Sequence, residues 1–239
     1  MVPKVKFYKT DLETNIDIVN MSLLNKDNNL HSDEQTYKIF PELVNENVEK
    51  VVERELIKID EELSVIVSHY QKTWDKYNDS FMASLSDVLN IKWPAGYEDI
   101  FVSVGIYPLC SRDIFNKSFH LSYWLNDDGL IDLVPHECCH LLYFEKWKKL
   151  FPDYDISTFD PPHLIWRLSE MAVDFILNKD IIQENIPHHF KAYSYFYEDN
   201  IDEMNDIRKI YQNNNIEDAI RLSYQYLLDK EENNKEEII

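Results

Sequence analysis

Glycine is nearly absent from this chain, with three residues in 239, and proline is sparse at nine. Tight hairpins draw on glycine for backbone of positive φ, so this scarcity excludes a fold built from many short β-turns. Cysteine numbers only three, and Cys138 and Cys139 are adjacent. An odd count with a neighbouring pair makes no disulfide framework and fits a reducing compartment. No apolar run reaches the roughly 18 residues of a membrane-spanning helix. The segment from Met1 to Tyr8 lacks the apolar stretch of a signal peptide. The protein is therefore expected in the cytoplasm, with no membrane partner. Positive charge is also deficient: 24 Lys and Arg face 44 Asp and Glu, for a net charge of −20. A phosphate backbone rewards Lys and Arg, so nucleic acid is excluded as a partner.

Hydrophobic residues at 44% and aromatics at 13% are enough for a substantial core. Their spacing is mostly helical, which predicts an α+β protein that is predominantly α-helical with a small sheet. From Pro41 to Trp74, Val44, Val48, Val51, Val52, Leu56, Ile59, Leu63, Val67, Tyr70 and Trp74 recur at steps dominated by three and four, the period of one long amphipathic helix. A second helix is predicted over 78–90. Short strands are predicted at 2–8, where Val5 and Phe7 alternate with Lys4 and Lys6, at 100–107 and at 119–124. Residues 117–124 are also a candidate cleft strand to which an extended substrate adds, a plain core strand being the alternative. Asn126-Asp127-Asp128-Gly129 reads as a turn. Residues 9–36 show no clear period. A loop over 151–162 precedes a helix expected to run to about 183, and two or three more helices follow within 188–228. The whole reads as one domain over 1–228, with a helical scaffold at about 41–90, a metal-site core at 99–183 and C-terminal helices at 188–228. Residues 229–239 read as an acidic flexible tail.

Within that core lies His136-Glu137-Cys138-Cys139-His140, an H-E-x-x-H pattern. Residues four apart on a helix share a face, so the two imidazoles can grip one metal ion, most commonly Zn²⁺, one per chain. Glu137 lies beside the metal without ligating it, where it can take a proton from a zinc-activated water. Leu133, His140, Leu141, Phe144 and Trp147 give the helix an apolar face. Asp132 is the expected N-cap, with Pro135 in the first turn, where its missing N–H is harmless. Cys138 and Cys139 diverge by about 100° around the helix and cannot both join the histidines, so they read as small core fillers. A pair of core histidines flanking an incidental glutamate is the competing reading.

Thirty residues on, Glu170 and Asp174 interrupt the otherwise apolar run 166–177, together with Arg167 and Ser169. Charges are seldom buried unless paired or bound to metal. Glu170 is the candidate third metal ligand, and Asp174, one turn further, the acid that orients a ligand histidine. The alternative is an Arg167–Glu170–Asp174 ion-pair ladder on a solvated face. His163 is two turns before Glu170, roughly 10 Å along the axis, too far to share its role. His163, His188, His189, Tyr193, Tyr195 and Tyr197 read as caps or packing residues before oxyanion donors.

With H-E-x-x-H followed by E-x-x-x-D, the chain resembles the gluzincin group of zincin metallopeptidases and zincin-like bacterial proteins, over about residues 99–178. The resemblance implies His136, His140 and Glu170 as zinc ligands, Glu137 as the catalytic base and Asp174 as the supporting acid. It further implies a zincin-like fold in which the H-E-x-x-H helix packs on the E-x-x-x-D helix beside a small sheet. The expected activity is zinc-dependent hydrolysis of peptide bonds, with a peptide or protein as substrate. Two other readings share the motif: a non-catalytic zincin-like domain that binds a peptide or partner, and a metal-dependent amidase acting on a non-peptide substrate.

Overall fold

The computed structural model describes residues 2–24, 33–108 and 110–236. It is mostly helical with one four-stranded sheet, an α+β architecture. The elements run β1 (Lys4–Lys9), α1 (Leu12–Leu24), α2 (Asp33–Ile39), α3 (Val48–Trp74), α4 (Asn78–Val88), β2 (Asp99–Gly105), β3 (Arg112–Asp113), β4 (Ser118–Ser122) and α5 (Asp127–Leu150). They continue with α6 (Leu164–Leu177), α7 (Asp180–Gln183), α8 (Ser194–Glu198), α9 (Ile201–Asn213) and α10 (Ile216–Glu236). No helix among the described residues is long and apolar enough to cross a membrane.

The chain divides into two compact units. One comprises Pro3–Asn78 and Gly96–Leu133; the other is built mainly from Asp79–Ala95 and the chain from Val134 onward. The units interleave along the sequence, so no linker marks them.

The first unit holds the sheet, in the order β1-β2-β4-β3. β1, β2 and β4 are parallel neighbours, and β3 pairs antiparallel with β4. In β1 the expected alternation holds: Val5 and Phe7 are buried while Lys4 and Lys6 are exposed. α3 packs on this sheet and on α1. Its Tyr70 hydroxyl donates to the carbonyls of Ser122 and Leu125, and its Gln71 amide bonds to both Val5 and Phe7 of β1. The long helix expected from Pro41 starts later. Residues Pro41–Val44 form a 3₁₀ turn, and Asn47 caps α3 by accepting from the Lys50 N–H. Proline at the first position of the short turn mimics a helix start, which is why periodicity alone ran the two together.

β4 is an interior strand. β2 pairs with it along Ser118–Ser122, and its other edge is taken over by β3 and by the bond from His120 N–H to the Ser111 carbonyl. With both edges occupied, the core-strand reading of 117–124 replaces the cleft-strand one. His120 is 2% exposed, with Nδ1 3.0 Å from the Ser103 hydroxyl and Nε2 3.3 Å from the Tyr107 carbonyl. Gly105 across the sheet has no room for a side chain: a β-carbon there would run into Asn15 and the His120 ring.

Burial disfavours the charged imidazole and pushes the His120 pKa down to about 4. The ordinary value near 6.5 applies in the unfolded chain. Between those values the unfolded state binds a proton that the native state does not, so this contribution is complete above about pH 6.5 and is lost as pH falls toward 4. The expected loss is about 3 kcal/mol. Urea unfolding at pH 7 and pH 4.5 should show it, and His120→Gln should flatten the difference. An unchanged pH dependence in the variant would refute it.

The second unit is helical. α6 packs against α9, α10 and the 3₁₀ turn Ile156–Phe159. Its residues Leu168 to Leu177 are all buried, as expected for a helix enclosed on every side. α6 stops at Leu177 rather than near 183. The Asn178 side chain turns back to the Asp174 carbonyl and also bonds to Phe190 N–H and C=O, which satisfies the helix end and starts a new direction. Three helices do follow, α8, α9 and α10. The expected flexible tail is helical as far as Glu236; residues 237–239 lie outside the described residues. Lys230 pairs with Glu203, and the Tyr226 hydroxyl donates to Asp206, so this end is tied to α9.

Candidate metal centre

α5 begins at Asp127, earlier than the expected cap at Asp132. Asn126 is the cap: its side-chain oxygen accepts from Gly129 N–H at 2.8 Å, and its carbonyl accepts from Leu130 N–H. Asn-Asp-Asp-Gly serves a helix cap as well as a turn, because short polar side chains bond to nearby backbone in both. Pro135 therefore lies inside the helix. It removes one backbone donor immediately before the motif.

From Val134 to Phe144 α5 is buried except at His136, which is half-buried. Cys138 and Cys139 are 0% and 1% exposed, as core fillers should be. Burial, with the charge of Glu137 next, pushes the Cys138 thiol well up, so it stays neutral. His140 is fully buried and stacks on Phe144 with ring centroids 6.0 Å apart. Phe144 in turn stacks on Phe159 at 4.3 Å. The first is an i, i+4 contact on the His140 ring itself, and the second anchors Phe144 beneath it.

Three donor atoms converge. His140 Nε2 lies 2.9 Å from His136 Nε2, and both lie 3.2 Å from Glu170 Oε2. Glu170 is 2% exposed. Burial alone would raise its carboxyl; with no ion bound, the proximity of the His140 and His136 rings holds it instead well below the ordinary carboxylate range. Protons serve this triangle poorly. If both rings donate to Glu170, two N–H groups abut across the 2.9 Å edge; if one ring donates to the other, it no longer donates to the carboxylate. A single cation at the centre meets all three lone pairs at once. Donors bound tetrahedrally to zinc at about 2.0–2.1 Å lie roughly 3.3–3.4 Å apart, within a few tenths of the observed edges. The donor set therefore fits zinc, and among the described residues these three form the His/Cys/Asp/Glu cluster able to hold an ion. Glu137 follows His136 directly and is 4% exposed.

The ion-pair ladder is not formed. Arg167 pairs with Glu203 on α9, Glu170 with the histidines and Asp174 with Arg208. Asp174 does not orient a ligand histidine. Its Oδ2 accepts from the Tyr197 hydroxyl at 2.6 Å and from Arg208 at 3.1 Å, and its Oδ1 from Asn178 at 2.9 Å. Tyr197 also accepts from Ala192 N–H, so Asp174 ties the stretch 190–197 and α9 to the helix that carries Glu170. Removing a buried, fully bonded carboxylate strands its partners, so Asp174→Ala should cost about 3 kcal/mol of stability. Zinc affinity should change little. A tenfold or greater loss of zinc affinity in a folded Asp174→Asn protein would restore the histidine-orienting role.

His163 is exposed in front of α6 and outside the cluster. His188 packs edge-on to Phe190 at 4.8 Å. Tyr193 is closer to the centre than its sequence context suggested, its ring 6.2 Å from that of His136 and stacked on Tyr195. Burial and the nearby Glu170 and Glu203 carboxylates raise the Tyr195 hydroxyl, against the pull of Arg167. Sequence reasoning missed Lys146, 3% exposed within α5, which bonds the Asn90 carbonyl and pairs with Glu217. A lysine on the apolar side of a helix was the available signal.

No protein-family model, characterised protein or solved structure matches this chain.

Proposed function

We propose that the protein is a zinc-dependent hydrolase of the gluzincin type, acting on peptide bonds. The observation that carries this reading is the triangle of His136, His140 and Glu170, whose edges suit zinc better than protons. A structural zinc takes four protein ligands, whereas a catalytic one takes three and leaves a position open. Among the described residues the cluster has three donors, which supports the catalytic reading. The order of the residues, H-E-x-x-H on one helix and the glutamate on the next, is also that of gluzincins.

His136, His140 and Glu170 would hold the metal, which supplies a Lewis acid for the scissile carbonyl and lowers the pKa of a water. Glu137 accepts the proton of the attacking water and returns it to the leaving amine. Its low exposure keeps bulk water from competing for that proton. The stacking of His140 on Phe144 and the contacts of Glu170 with both rings would hold the three donors in place before substrate arrives.

The test is digestion of a broad peptide library by the zinc-loaded protein, followed by mass spectrometry. Internal cleavage that a chelator abolishes and zinc restores is expected. A zinc-loaded protein that cleaves none of the library would reject the peptidase reading.

A further inference from the structure

We propose that a cavity of about 500 Å³, whose wall includes Asp174 one helical turn from Glu170, is the subsite for a substrate carboxylate, so that the enzyme selects peptides bearing an acidic side chain or a free C-terminus. This rests on the hydrolase reading and adds its substrate class.

Position comes first. Asp174 in the cavity wall lies one turn beyond Glu170, about 6 Å along α6. Ala192 and Ser194 in the same wall flank Tyr193, the residue packed against His136. An extended peptide spans about 3.4 Å per residue, so the roughly 6 Å between Glu170 and Asp174 along α6 corresponds to about two residues of substrate.

Charge comes second. In a chain of net charge −20, the wall gathers Lys191, Arg208 and His189. Its two acids, Asp174 and Glu198, balance Arg208 and Lys191 in formal charge, but Asp174 is already bonded at both oxygens and Glu198 is exposed, which leaves the unused N–H groups of Arg208 and the Lys191 ammonium as the donors of the wall. Lys9, Lys58, Lys146, Lys148 and Lys209 each lie within 2.8 Å of a carboxylate. Lys191 has no such partner among the described residues and is exposed.

Preorganisation comes third. Arg208 donates through Nη1 to Asn205 and through Nη2 to Asp174, and its guanidinium lies 5.6 Å from the Phe175 ring centroid. Those contacts use two of its five N–H donors and fix its plane, with the side chain still 33% exposed. A guanidinium held this way binds a planar carboxylate with little further loss of entropy.

The test uses full-length, zinc-loaded Glu137→Gln protein and four pools of fluorescein-labelled hexapeptides, randomised except at the last residue. That residue is Glu as free acid, Glu as amide, Gln as free acid or Gln as amide. Fluorescence polarisation should show binding roughly five- to tenfold tighter for at least one carboxylate-bearing pool than for Gln amide. The pattern among the pools tells a side-chain carboxylate from a terminal one. Lys191→Glu should erase the preference with zinc still at one per chain, and Glu198→Gln should enlarge it. Equal binding of all four pools, binding of none, or a preference that survives Lys191→Glu overturns the subsite. Failure of the hydrolase reading looks different: wild-type protein cleaves no pool, while the carboxylate preference and its dependence on Lys191 persist.

Discussion

Replacing His140 by alanine is expected to reduce zinc from one equivalent per chain to none. Nε2 of this fully buried ring forms two of the three edges of the donor triangle. Alanine leaves one imidazole and one carboxylate, too few to compete with water for the metal. The thermal consequence should be as large. A ligand that binds only the folded state at about a thousand times its Kd adds about 4 kcal/mol. For a chain of this size that is a rise in Tm of roughly 10 °C on adding zinc, which the variant should lack. The substitution also opens a cavity beside Phe144, so Glu170→Gln provides a second, nearly isosteric test. It removes the anionic ligand while keeping its shape, and zinc affinity should fall by at least about a hundredfold. Elemental analysis and calorimetry with and without zinc read both effects. Stoichiometric zinc in the two variants alike would remove the metal centre, and with it the hydrolase.

Glu137→Gln should leave zinc and fold intact and lower kcat by about 10²–10⁴-fold, the usual contribution of a positioned acid–base group. Glutamine occupies nearly the same volume at this 4% exposed position, so packing is undisturbed. It cannot accept a proton. Because the proton moves only in the transition state, kcat and kcat/KM should fall together, with KM nearly constant. The assay is steady-state hydrolysis of the best peptide from the library, with bound zinc measured on the same samples. Wild-type kcat in a zinc-loaded Glu137→Gln protein would assign the proton transfer elsewhere and open the case for Tyr193, the aromatic side chain set against His136.

Much of the candidate site was legible because its parts are local. His136, Glu137 and His140 lie within one helical turn, and the helix period alone places both imidazoles on one face. Glu170 was legible through chemistry: a lone acid in an apolar run has to find a partner. Val5 and Phe7 in β1 and the apolar stripe of α3 were readable in the same way, since burial on one face leaves a period in the sequence. Helix boundaries were less so. Asn126-Asp127-Asp128-Gly129 serves a turn and a cap equally, and only the bond from Gly129 N–H to the Asn126 side chain separates them.

Asp174 marks the limit most sharply. Glu170 and Asp174 are the same kind of residue, one turn apart on one buried helix, and composition cannot tell them apart. Glu170 meets the two histidines; Asp174 meets Tyr197 and Arg208, 23 and 34 residues further along the chain. The sequence by itself determined which residues share a helix face and which carry charge into the core, because backbone geometry repeats over a few residues. Which distant partner each buried charge found was decided by the packing of α9 and the stretch 190–197 onto α6, because that choice depends on contacts no local period encodes.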